Sequence, residues 1–255
     1  MKNYLIGSHY RVNDTKWSWK DTADEGDQYE LYKRMYQLSR ASIFHFLEDQ
    51  YEEVCFQDTI DHIGQAAKLG WKYIRELWHS EPCNLLILGP DCQMVKPTKL
   101  FNQFDEFRMF NWTDPKSNDG NNPWSIKIPN YFNGDMMYFP HNMKKELWDL
   151  YDQLHLSWET DNTTKTWGND QIVANIMFWS QNIPWEQAHR PDLFYQAQWI
   201  PSWASLEQQD QWNQFKSVDA HIIHWHASRH VPTKLQAMQN VNTVLNIPEY
   251  TGILQ

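Results

Sequence analysis

The chain has 255 residues, enough for one large domain with a substantial core or for two small ones. Its formal net charge of −10, with no basic run anywhere, excludes the clustered Lys and Arg that a nucleic-acid backbone needs, so no nucleic acid is expected as a partner. Apolar stretches reach about half of the ~20 residues of a bilayer crossing. The opening residues 1–7 lack the apolar core of a secretion signal, so a soluble, cytoplasmic protein with no transmembrane segment is expected.

Cys55, Cys83 and Cys92 form neither a disulfide framework nor a metal-finger spacing, which suits a reducing compartment. The triplets at Asn13, Asn111 and Asn162 match the glycosylation acceptor pattern and read as chance without a secretory route. Fifteen Trp, 12 Tyr and 12 Phe lean weakly toward carbohydrate, since indole faces stack on sugar rings, but Trp also fills cores.

In chain order, the apolar run at Tyr4, Leu5 and Ile6 breaks at Gly7-Ser8 and predicts a first strand opening onto a loop. Ser8, His9 and Tyr10 at that exit are placed to meet a nucleotide base, or are structural. Residues 16–27 predict a loop. From Gln28 to Leu47 apolar residues keep a helical stripe, with Arg40 inside it, facing water or reaching a phosphate; water is the preferred reading. Residues 51–56 predict a short strand. Asp58 or Thr59 then caps a helix whose apolar positions run from Ile60 to Trp78.

The stretch Asn-Leu-Leu-Ile-Leu-Gly-Pro-Asp-Cys-Gln-Met-Val-Lys-Pro (84–97) predicts a strand buried on both faces, delivering Asp91 just past its carboxyl end. Ligands bind at that edge of open α/β sheets. With the oxygen of Gln93 nearby, Asp91 can hold a divalent cation against a phosphate, or simply cap a loop. The β-α-β-α-β order so far argues a parallel sheet with helices on its faces.

Residues 111–123, rich in Asn, Asp, Gly and Pro, predict a lid or surface excursion. In 131–140, Gly134 lets backbone approach a ligand, Asn133 and Asp135 offer hydrogen bonds to hydroxyls, and Met136 to Phe139 continue as a strand. Asn142 caps a helix with Met143, Leu147, Leu150, Tyr151 and Leu154 inward. Asn169 caps another, with Asp170 and Gln171 in its first turn, where an acid is ordinary capping chemistry. In 218–230, strand alternation puts Ile222, His224 and His226 on one face and His221, Ile223 and Trp225 on the other. The imidazoles of His224 and His226 can meet a cation, though for any single histidine here the structural reading is preferred.

Together these segments resemble nucleotide-sugar glycosyltransferases of the GT-A fold, most closely the glycogenin and lipopolysaccharide galactosyltransferase family, from Tyr4 to about Lys234. Leu-Gly-Pro-Asp91-Cys-Gln93-Met-Val-Lys-Pro97 is similar to the family's Asp-x-Asp strand end followed by a hydrophobic pair and Lys-Pro, with Gln93 replacing the second acid. Phe132-Asn133-Gly134-Asp135 resembles its Phe-Asn-Ala-Gly segment, Asp170-Gln171-Ile-Val-Ala-Asn175 its Asp-Gln-x-x-x-Asn helix start, and His224 in Ile222-Ile223-His224-Trp225 its late metal-binding His.

The resemblance implies a single GT-A (Rossmann-like) α/β domain over 1–255, with a mostly parallel central sheet flanked by helices. Residues 1–97 would form the nucleotide-binding half and 98–255 the sugar- and acceptor-binding half. It further implies a hexosyltransferase, by analogy retaining, that moves a sugar from a UDP-sugar donor to a hydroxyl of a glycan or other acceptor. Mn2+ or Mg2+ would sit on the diphosphate, held by Asp91, Gln93 and His224. Asp135, Asp170 and Gln171 would be catalytic. Gly7, Ser8, His9, Tyr10, Lys68, Asp91, Cys92, Asn133 and Gly134 would contact the donor. Two other readings stand beside it. One is a metal-dependent hydrolase using His221, His224 and His226 with Asp219 and Asp91. The other is a non-catalytic carbohydrate-binding module on a Trp-rich surface. The Trp-rich tail from Trp185 to Trp212, with Trp199 and Trp203, is an expected acceptor surface.

Overall fold

A computed structural model of the chain describes residues 1–13, 28–60, 64–101, 108–111, 132–143, 145–161, 173, 175–177, 180, 194–196, 220–225 and 231–253. Its elements are β1 Lys2–Val12, α1 Gln28–Phe46, β2 Glu52–Ile60, α2 Gly64–Ser80, β3 Cys83–Leu88, β4 Cys92–Met94, β5 Arg108–Asn111, β6 Phe132–Phe139, α3 Lys145–Asp161, β7 Phe194–Gln196, β8 Ile222–His224 and α4 Val231–Val244.

The main sheet has the order β2-β1-β3-β6-β5. β1 is parallel to β2 and to β3, whereas β6 is antiparallel to both of its neighbours. Four strands therefore run one way and β6 runs against them, a mixed α/β architecture with a mostly parallel sheet. A second sheet of three short strands has the order β4-β8-β7.

Period-two alternation explains the layering. Tyr4, Ile6, Leu85, Met137 and Phe139 face one side, where α2 and α3 cover them with Trp71, Ile74, Trp148 and Tyr151. Leu5, Leu86, Leu88, Met136 and Tyr138 face the other, under Ile43 of α1, Leu47 just beyond it, and Cys92 and Met94 of β4. The far side of α1 buries Met35 and Leu38 against Ile223 and Trp225, and against Ala237, Met238 and Val241 of α4. Trp71 and Trp148 serve this core: Trp71 stacks on Tyr151 at 3.5 Å between ring centroids, and Trp148 on Phe139 at 5.1 Å.

Three local expectations are corrected. β1 does not break at Gly7-Ser8 but runs on to Val12 alongside β2. Gly7 is there for room, because a Cβ would lie 2.5 Å from the Tyr36 ring and 2.6 Å from the Arg40 guanidinium. β2 extends through Asp58 and Thr59 to a buried Ile60, so neither residue caps α2. Arg40 faces neither water nor a ligand. Fully buried, it donates to the carbonyls of Ile6 and Leu88, both at 3.1 Å, and its Nε lies 3.4 Å from Glu53 Oε1. Among the described residues no helix is long and apolar enough to cross a membrane.

Candidate functional site

β3 ends in the turn Gly89-Pro90-Asp91, closed by the Cys92 amide donating to Gly89 O at 3.0 Å. β6 runs in the opposite direction, so its beginning reaches the edge where β3 ends. Leu88 pairs with Met136, which brings Asp135 beside Gly89. The Gly89 amide donates to Asp135 O at 2.8 Å, and a Cβ at position 89 would lie 2.8 Å from Asp135 Oδ1. A side chain at 89 would push this carboxylate away.

The second sheet supplies the imidazole. Cys92 of β4 pairs with His224 of β8, and the Trp225 amide donates to Asp91 O at 3.0 Å, so both sides of the Asp91 turn are fastened. α1 holds β4 from behind: Ser39 Oγ donates to Cys92 O, and Ser42 Oγ accepts from the Met94 amide at 3.1 Å.

Four charged side chains meet there. His224 Nε2 lies 3.3 Å from Asp91 Oδ1 and 3.1 Å from Asp135 Oδ2, and Lys234 Nζ of α4 donates to Asp91 Oδ2 at 2.6 Å. His224 is fully buried and the Asp91 side chain is 12% exposed, while that of Asp135 is 38% exposed. The cluster thus opens to solvent on the Asp135 side. Burial disfavours a charge on His224, but Asp91 and then Asp135 outweigh it and raise its pKa to about 9. Burial likewise opposes ionisation of Asp91, yet the Lys234 ammonium and His224 hold its carboxyl well below the usual range. Burial, with Asp91 and Asp135 nearby, pushes the Cys92 thiol well up, and its Sγ lies 3.6 Å from Asp135 O. That favours a protonated thiol and leaves oxygen and imidazole nitrogen as the ready donors.

Gln93 is a correction. Its amide does not face the carboxylates. Its Oε1 accepts from the Trp225 indole at 3.0 Å, and its Nε2 donates to Met238 O at 2.9 Å and to Asn242 Oδ1. Both ends of the amide are committed to joining β4, β8 and α4, so it has no oxygen directed at a cation.

The residues expected at the end of β1 divide between the two faces of the sheet. Gly7 and His9 lie on the α1 side, His9 being buried against Tyr29 with ring centroids 4.3 Å apart. Ser8 is exposed, and half-buried Tyr10 turns to α2, where a Cβ on Gly70 would lie 3.3 Å from its hydroxyl. His9 and Tyr10 therefore do not form one cradle. Gly134 sits half-buried just before Asp135. The side chains of Lys68 and Asn133, and all of Asp170 and Gln171, lie outside the described residues, as do Trp185, Trp199, Trp203 and Trp212. Of the hydrolase cluster, His221 Nδ1 lies 3.0 Å from Pro97 O and not beside the carboxylates, while Asp219 and His226 lie outside the described residues.

Sequence reasoning missed Lys234, Ser39 and Ser42. A signal for the helix that carries Lys234 was present: Pro232 belongs in a first helical turn, and Leu235, Met238 and Val241 recur at a spacing of three. No protein-family model and no curated protein matches the chain.

Proposed function

We propose that the protein is a divalent-cation-dependent glycosyltransferase that moves a sugar from a nucleotide-diphosphate donor, UDP-linked, to an acceptor hydroxyl. The observation that carries this reading is the 3.3 Å approach of His224 Nε2 to Asp91 Oδ1 at the carboxyl edge of the sheet. The two residues are remote in sequence. The donor set fits the ion: a buried imidazole nitrogen and a carboxylate oxygen suit Mn2+ or Mg2+ better than a protonated thiol does.

Bound there, the ion would supply positive charge to the two phosphates of the donor and to the departing diphosphate. Asp91 and His224 would hold it, His224 doing so in its neutral form. Lys234, 2.6 Å from Asp91, orients that carboxylate and adds a fixed positive charge next to the same edge. Asp170 and Gln171 keep their assignment beside the reacting carbon from the family resemblance alone, as does retention of the anomeric configuration. The acceptor is a glycan or another hydroxyl compound.

The test is a thermal-stability and calorimetric screen of nucleoside diphosphates with and without Mn2+, followed by donor hydrolysis with the best of them. UDP with Mn2+ should stabilise the chain by about 2.7 kcal/mol at a hundredfold excess over Kd. Asp91→Ala should abolish that effect. If no nucleoside diphosphate stabilises the protein with either Mn2+ or Mg2+, the proposal fails.

A further inference from the structure

Position 93 leaves the cation site one acid short, and the fold has another carboxylate at the same place. We infer that Asp135, on β6, is the second carboxylate ligand of this site and takes the part that Gln93 cannot. The inference rests on the ion-binding reading above and moves Asp135 from a sugar hydroxyl to the ion.

Geometry supports it first. Asp91 Oδ1 and Asp135 Oδ2 approach the same nitrogen, His224 Nε2, at 3.3 and 3.1 Å. Ligand atoms at right angles around one cation lie about 3 Å apart, because bonds of about 2.1 Å enclose that edge. Each carboxylate oxygen already has that spacing from the imidazole nitrogen.

Charge supports it next. Asp91 and Asp135 with Lys234 carry one net negative charge when His224 is neutral, and a divalent ion turns this into one net positive charge. Such a site accepts an anionic phosphate. Without Asp135 the same residues would begin neutral and attract the ion less.

Access and rigidity complete the case. The Asp135 side chain is the most exposed of the ligands, so it stands where an ion enters and where a bound phosphate would complete the coordination. Its backbone is fixed by the Gly89 amide, and the missing side chain at 89 makes room for its carboxylate. Strand direction explains why this acid escapes a search for two acids on one strand: it comes from the neighbouring strand, which runs the other way.

The experiment is a Mn2+ titration of the full chain without nucleotide, read from the electron paramagnetic resonance signal of free Mn2+, on wild type, Asp91→Asn, Asp135→Asn and Asp135→Glu. Asp135→Asn should weaken Mn2+ binding at least about tenfold, with an unchanged melting temperature in the absence of metal, and Asp135→Glu should lose less. A smaller loss in Asp135→Asn overturns the assignment. Should that variant fold poorly, Asp135→Ser is judged by the same threshold. If Asp135→Asn keeps the affinity while Asp91→Asn loses it, the ion site stands and only the role of Asp135 falls. If the wild type binds neither Mn2+ nor Mg2+, with or without UDP, the reading beneath it falls as well.

Discussion

Two buried ionic clusters lie near the carboxyl end of β3, and they are built to different rules. In the first, Arg40 donates to the Ile6 and Leu88 carbonyls, and the two Glu53 oxygens accept from the Tyr36 hydroxyl at 2.6 Å and the Tyr250 hydroxyl at 2.8 Å. Both carbonyls and both Glu53 oxygens have donors there, and the Glu53 side chain is 6% exposed. In the second, two carboxylates converge on an imidazole, one of them also on Lys234, and the cluster opens to solvent. A closed network holds strands together, whereas an open one, with two carboxylates on one imidazole, offers oxygen and nitrogen donors to a cation that displaces the imidazole proton.

Breaking the closed cluster should produce the largest effect. Arg40→Met strands two carbonyls and the Glu53 carboxylate, and should cost about 3–5 kcal/mol in urea unfolding. An unchanged midpoint would deny that the network is structural. In the open cluster the cost should appear in chemistry instead. Asp91→Asn should lower the donor-hydrolysis rate about a hundredfold, equivalent to about 2.7 kcal/mol of barrier. A loss of fold with no separate effect on rate would erase the contrast.

Gly7→Ala probes the packing of the closed cluster without removing a charge. Because its Cβ would press on Tyr36 and Arg40, it should cost about 1–3 kcal/mol, measured as a lowered thermal midpoint. The smallest effect concerns His9, which burial first, and then the Lys33 and Arg11 charges, lower to a pKa of about 4. Its folded value lies below the ordinary 6.5, so the native state binds fewer protons than the unfolded chain. The stability it contributes is complete above pH 6.5 and is lost as pH falls toward 4. His9→Phe should flatten the decline of the melting temperature across that window; an unaltered slope would assign the acid sensitivity elsewhere.

Long, regular stretches were legible from sequence. The stripe from Gln28 gives α1, and the aliphatic run ending at Leu88 gives β3, because one period dominates each. Local punctuation misled where tertiary contacts override it. Gly7 looks like a strand end but provides space for Tyr36, and Asp58-Thr59 looks like a helix cap but lies in an edge strand whose outer residues face water. At the site, Asp91 and His224 could be named because each ends or lies in an apolar run. Lys234 could not, since a lysine on a helix carries no sign of which carboxylate it meets. Gln93 misled for a chemical reason: an amide oxygen imitates a carboxylate on paper, while its NH2 suits the backbone and Asn242 contacts it makes.

The reversed course of β6 makes the proposed ion site depend on segments far apart in the chain. Asp91, Asp135, His224 and Lys234 come from four remote segments, and the last of them is on α4. An ion bound as proposed would therefore have its full set of ligands only once α4 has packed against the sheets. Once bound, it would slow hydrogen exchange in α4 and β6 together, because detaching either one dismantles the grip.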